Sequence, residues 1–268
     1  MNAISFLIAT FGWSIVHSIW QIALISILVK VLLSLFSKGS SSMKYNIVLG
    51  GLFAAFMAFV ITFYISADQR IALLDTHEVF NGASAEQARS LQAFTSSDTP
   101  LYAGGQNDGI RTFMQRIDGS LGYIVALWFA GFLFFLIRFL GGYLYIYRLR
   151  NIHSSRVPEK WQAVASKIRS GLNLTKTVTL MESAKIRIPI VIGHLKPAII
   201  LPLGLATHIP FNQLEAILVH EMAHIRRNDY LVNLIITSLE WIFFYHPLFW
   251  WLSKSLDHFR EHCCDDIT

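Results

Sequence analysis

Residues 4–29 contain no Lys, Arg, Asp or Glu. At about 1.5 Å per residue, a helix of that length reaches across a hydrocarbon core of about 30 Å. A cleaved signal peptide needs a basic start and a shorter apolar core, and Met1-Asn2-Ala3 offers no basic side chain. Residues 45–65 form a second span. A third runs from Leu121 to about Ile137 and continues as helix past Arg138 to Tyr147. Composition agrees with these spans: 54% of the chain is hydrophobic and 15% charged, whereas a soluble domain is about a quarter charged.

The net charge of +5 is not gathered into basic runs, and no stripe of interleaved aromatic and basic residues points to nucleic acid. Basic residues collect instead beside the apolar segments. Lys30, Lys38 and Lys44 flank the turn between the first two spans, and Arg138, Arg148, Arg150 and Arg156 follow the third. By the positive-inside rule the turn and everything after the third span face the cytoplasm, with the N-terminus and the segment between spans two and three outside. The chain therefore divides into 1–66, two transmembrane helices with a short cytoplasmic turn; 67–119, a polar extracytoplasmic loop with turn signals at Asn81-Gly82 and Gly104-Gly105; 120–147, a third transmembrane helix; and 148–268, a cytoplasmic-facing domain. Ser14, His17, Ser18 and Gln21 lie inside the first span, where polar groups usually bond to neighbouring helices. The two cysteines, Cys263 and Cys264, are adjacent, which suits a reducing compartment better than a disulfide framework.

From Pro158 the pattern changes. Residues 159–171 read as a helix with a polar face, and 177–181, 186–192 and 198–201 as short strands, the last two joined by a turn. Pro189 has no N–H for a ladder, so its strand belongs at a sheet edge. A helix follows from about Asn212, read as its cap, to about Arg227. It carries His220-Glu221-Met222-Ala223-His224. Histidines at i and i+4 share one helix face, close enough to hold one ion, and a catalytic zinc takes three protein ligands with one position left open. Glu221 stands beside them as a general base. With ten His and eight Glu in the chain, chance supplies only about 0.01 such motifs.

A third ligand must come from elsewhere. Glu261 and Asp265 lie four apart in REHCCDD, so Glu261 can bind the metal while Asp265 orients a histidine; His262, Cys263 and Cys264 could also serve as the ligand. Residues 231–252 are almost wholly apolar and long enough to cross a bilayer. A single crossing would place Glu261 on the far side from His220 and His224. The chain must turn back, and Tyr245-His246-Pro247 is where a helix would break. A membrane-associated helical hairpin over about 230–258 is expected, and Glu240 within it also speaks against a lipid-facing span.

With these residues in view, nearly the whole chain resembles the membrane zinc metallopeptidases of the BlaR/MecR antirepressor type. HSIWQ in the first span, HEMAHIRRNDY, YHPLFWW and REHCCDD carry the likeness. The resemblance implies a mostly α membrane protein with a small α+β zincin-like (gluzincin) domain in a bacterial plasma membrane. It implies Zn2+ held by His220, His224 and Glu261, with Glu221 as catalytic base, and a protein substrate such as a cytoplasmic transcriptional repressor. It also implies that substrate adds to an edge strand, for which Ile188–Gly193 is the candidate. The best-known members continue into a further span and an external penicillin-binding sensor, so either the sensor is absent here or the chain is truncated. The one SxxK match near a span, Ser41-Ser42-Met43-Lys44, falls in the cytoplasmic turn, and antibiotic sensing is not expected. Two other functions compete: a housekeeping membrane protease similar to the CAAX-processing and heat-shock zinc peptidases, and a non-catalytic zinc-binding signalling scaffold. REHCCDD and HSIWQ favour the regulatory enzyme over the first, and an intact Glu221 counts against the second.

Overall fold

The computed structural model describes residues 3–82, 108–193 and 196–266. Three long helices come first: α1 (Ala3–Leu35), α2 (Ser41–Gly82) and α3 (Asp108–Asn151). Each contains a stretch long and apolar enough to cross a membrane, Ile4–Leu35, Ser41–Ala72 and Arg116–Asn151. The chain is an integral membrane protein, mostly helical with a small mixed sheet. The expected loop over 67–119 needs correction. Helix α2 continues to Gly82 and α3 begins at Asp108, so helix occupies both ends of that segment; 83–107, with Gly104-Gly105, lies outside the described residues. At 42 residues α2 is about 63 Å long, twice the hydrocarbon core. A polar composition hides the continuation of the helix beyond Ala72, the end of its apolar stretch.

The described chain forms two compact units that divide the long helices between them: Met1–Leu24 with Ala54–Ala130, and Ile25–Phe53 with Gly131–Thr268. In the first unit, Phe11 meets the rings of Phe59, Phe63 and Trp128 edge-on, at 5.9, 6.4 and 4.7 Å. Gln21 Nε2 donates to Thr62 Oγ1 across the helix pair at 2.7 Å, an interhelical bond of the kind expected for polar groups at that depth. His17 instead accepts from Trp20 Nε1 of its own helix, and Ser14 and Ser18 bond to α1 carbonyls.

The second unit carries the remaining elements: β1 (Ser155–Arg156), α4 (Glu159–Gly171), β2 (Thr179–Ser183), β3 (Ile190–Ile192), β4 (Ala198–Pro202), α5 (Leu205–His208), α6 (Phe211–Arg227), α7 (Asp229–Ile242) and α8 (Pro247–Asp265). The sheet order is β1-β2-β4-β3, with β2 and β4 parallel and the two outer pairs antiparallel. Strand β3 is at the edge, as expected, although Pro189 itself lies just before it and outside the ladder. It is shorter than expected, since 186–189 do not pair with β4, and the two-residue β1 left no trace in the hydropathy pattern. Period-two alternation gives the sheet two apolar faces. Leu180, Ile199 and Leu201 pack under Trp161 and Ile168 of α4 and Leu214, Leu218 and Met222 of α6. Ile192, Ala198 and Ile200 pack with Leu149 at the end of α3.

Helices α7 and α8 form the hairpin. At 14 residues α7 is about 21 Å long, too short to cross the core. Pro247 takes the first position of α8, where its missing N–H has no partner to lose. The apex packs against α3: Phe135 lies 5.5 Å from the Phe244 ring and 6.2 Å from Trp250, Phe139 lies 4.3 Å from Trp241, and a Cβ at Gly131 would collide with the Phe244 ring.

Candidate metal centre

Helix α6 is amphipathic. Leu214, Leu218, Met222 and Ile225 are buried against the sheet side, which turns His220, Glu221 and His224 away from it. The helix starts one residue before the expected cap: Pro210 occupies the N-cap position with no side-chain bond, and Asn212 lies inside the first turn. Pro210 presets the entry, and the Phe211 ring stacks on Trp161 at 5.6 Å. The end is sharp. Asn228 has φ 58°, a left-handed conformation that Asn tolerates and that closes a helix. The bend starts α7 at Asp229 and returns that side chain to His224.

The hairpin then brings α8 back to α6. His220 Nε2 lies 3.5 Å and His224 Nε2 3.7 Å from the same oxygen, Oε2 of Glu261. One ligand atom from each residue falls within 4.8 Å of the others. Tetrahedral ligands at about 2.0–2.1 Å from zinc stand about 3.4 Å apart, so two nitrogens and a carboxylate oxygen at these separations fit that ion.

The far nitrogens are also engaged. His224 Nδ1 is 2.9 Å from Asp229 Oδ2, and His220 Nδ1 is 3.4 Å from Asp265 Oδ1. A carboxylate accepting Nδ1–H leaves the Nε2 lone pair free for a metal. Asp229 is 4% exposed and also faces Arg227 Nε at 3.4 Å. Cys264 Sγ sits 3.2 Å from His224 Nδ1 and 3.7 Å from Asp229 Oδ2. His224, Asp229 and Cys264 therefore also cluster at metal-binding distance, but on the opposite nitrogen of the same imidazole. His262 turns to His258 instead, at 3.2 Å, and Cys263 contacts Arg227. Helical spacing did not single out Asp229; its signal is an acid five residues after His224, directly behind a residue type that ends helices.

Burial raises the Glu221 carboxyl above the ordinary carboxylate range; His224 and His220 restrain the rise and Glu261 adds to it. Burial disfavours the charged form of His224, but bonds to Asp229 and Cys264 and the charges of Cys264 and Glu261 outweigh it and lift the group to about 10. Glu221, His224 and Glu261 line a cleft together with Val191 and Gly193 at the open edge of the sheet.

The sequence profile described as BlaR1 peptidase M56 matches residues 9–267. Among curated relatives, the regulatory protein BlaR1 of Bacillus licheniformis is 24% identical over 192 residues, which are 70% of this chain and 32% of that protein. The methicillin resistance mecR1 proteins of Staphylococcus aureus and Staphylococcus epidermidis are 23% identical over 184 residues, 66% of this chain and 31% of theirs. The aligned part thus spans about a third of the length of these relatives.

Proposed function

We propose, from the premise that the chain belongs to the BlaR1 peptidase M56 family, that this integral membrane protein is a zinc-dependent regulatory endopeptidase. Its substrate on this reading is a cytoplasmic or membrane-associated protein, such as a transcriptional repressor. His220, His224 and Glu261 hold the ion and Glu221 is the base. The observation that carries the reading is the convergence of two Nε2 atoms on Glu261 Oε2, with Glu221 lining the same cleft as His224 and Glu261.

A zinc ion bound there would polarise a peptide carbonyl and acidify a water. The rest falls to the chain. Asp229 and Asp265 fix the two imidazoles in the tautomer that offers Nε2. A carboxylate oxygen of Glu221 takes the proton from the attacking water and delivers it to the leaving amine, and a raised proton affinity suits both halves of that transfer. Strand β3, paired on one side only, offers main-chain groups to an extended peptide beside Glu221. A base in this position has no part in a purely structural site, which favours an enzyme over a scaffold.

The test is purification in detergent, measurement of zinc content, and comparison of cleavage of a casein-like protein and of the chain itself by wild type and Glu221→Ala. One zinc per chain in both proteins, with cleavage lost from the variant by about 10²-fold or more, is the expected result. Undiminished cleavage by Glu221→Ala would sink the assignment.

A further inference from the structure

Arg227 closes α6 with its guanidinium carbon 4.8 Å above the ring of Tyr45, in the first turns of α2. Its Nε is 3.4 Å from Asp229 Oδ1, and the other oxygen of that carboxylate is 2.9 Å from His224 Nδ1. Tyr45 is 6% exposed and Asp229 4%, so these contacts form largely out of water. An arginine side chain has many rotamers, and a flat aromatic face beneath the guanidinium restricts it to those that reach Asp229. A carboxylate held at both oxygens keeps its plane. One held only at Oδ2 can swing, and the imidazole swings with it. We propose that Tyr45 is a positioning residue for the metal-binding imidazole of His224, acting through Arg227 and Asp229.

The proposal rests on the zinc reading of the site. It ties a membrane-crossing helix to a metal ligand through three contacts: a displacement of α2 that carries the Tyr45 ring away from Arg227 loosens the support of His224. A plainer role for Tyr45 is to fill space where α2 meets α6. The two roles differ in what the ring must be. Filling space needs volume; holding the guanidinium uses the π face and the hydroxyl, which hydrogen-bonds Arg227.

The experiment uses the full chain in detergent, with zinc affinity read by competition against a chromogenic chelator and ligand geometry by the visible absorption of cobalt(II) in place of zinc. Tyr45→Phe keeps the ring face but loses the hydroxyl's hydrogen bond to Arg227, so it should bind zinc more weakly than wild type and more tightly than Tyr45→Leu. Tyr45→Leu should bind about 3–10-fold more weakly, with an altered cobalt spectrum. Arg227→Met should weaken binding at least as much. Adding Tyr45→Leu to Arg227→Met should cost less than about a further twofold, since the guanidinium it would hold is gone. Should Tyr45→Leu not fold, Tyr45→Met takes its place with the same outcomes. Wild-type affinity in the leucine or methionine variant, or losses that multiply in the double variant, would overturn the role of Tyr45. A wild-type chain that takes up no zinc, or Glu261→Ala that retains it, would overturn the reading of the site and this proposal with it.

Discussion

Each imidazole at the centre stands between two carboxylates, Glu261 on the Nε2 side and Asp229 or Asp265 on the other. Without an ion, the partners of His224 favour its protonated form. His224, lifted to about 10, carries its proton at pH 7. A ligand must give that proton up, so zinc uptake should release about one proton from His224 at neutral pH, and affinity should rise with pH, by up to about tenfold per unit between pH 7 and 8. Titration calorimetry in two buffers of different ionisation enthalpy measures the release; a value near zero would mean that His224 is already neutral. Ligand identity has its own test. Glu261→Ala should lose zinc, whereas His262→Ala should keep it, because His262 is turned to His258. The sequence made the HExxH pair and Glu261 legible because each sits at fixed helical spacing from a partner. Asp229 was not legible, because its approach to His224 depends on the left-handed backbone of Asn228, which no periodicity announces.

At the scale of elements, the hairpin α7–α8 makes the site possible, and it was foreseeable for a geometric reason. Residues on either side of an apolar run can share an ion only if the run doubles back. What the sequence did not reveal is the surface it leans on. The Phe244 ring lies against α3 where Gly131 has no side chain, and a glycine in an apolar helix reads as neutral until its neighbour is known. Gly131→Val should therefore overpack this contact and cost about 1–3 kcal/mol. The expected readings are a lower thermal midpoint in detergent and weaker zinc retention, since α8 carries Glu261. Unchanged values for both would mean that the hairpin holds its place without α3. The edge strand makes a different demand. A substrate-derived peptide that adds to β3 should lose affinity when its backbone amides are N-methylated, by about tenfold for each bond to the strand that is removed. Equal binding of the methylated peptide would take β3 out of substrate recognition.

At the scale of the whole molecule, the basic residues at the ends of the three spans predict the side on which the second unit works. Lys30, Lys38 and Lys44 gather around the turn between α1 and α2, Arg148 and Arg150 lie in the last turn of α3, and Arg156 follows it. The intervening segment spreads its few arginines over its length. Translocating the clustered charges is the costlier choice, so the turn and residues 148–268 should be cytoplasmic and the N-terminus outside. The native cysteines are buried, which leaves introduced ones to report alone. In intact cells a membrane-impermeant maleimide should label a cysteine placed at Ser97 and leave Ser40→Cys and Ser155→Cys unlabelled until the membrane is permeabilised. The reverse pattern would put His220, His224 and Glu261 outside, where no cytoplasmic repressor can reach them. The substrate would then have to be an extracytoplasmic protein, even with every ligand of the metal centre in place.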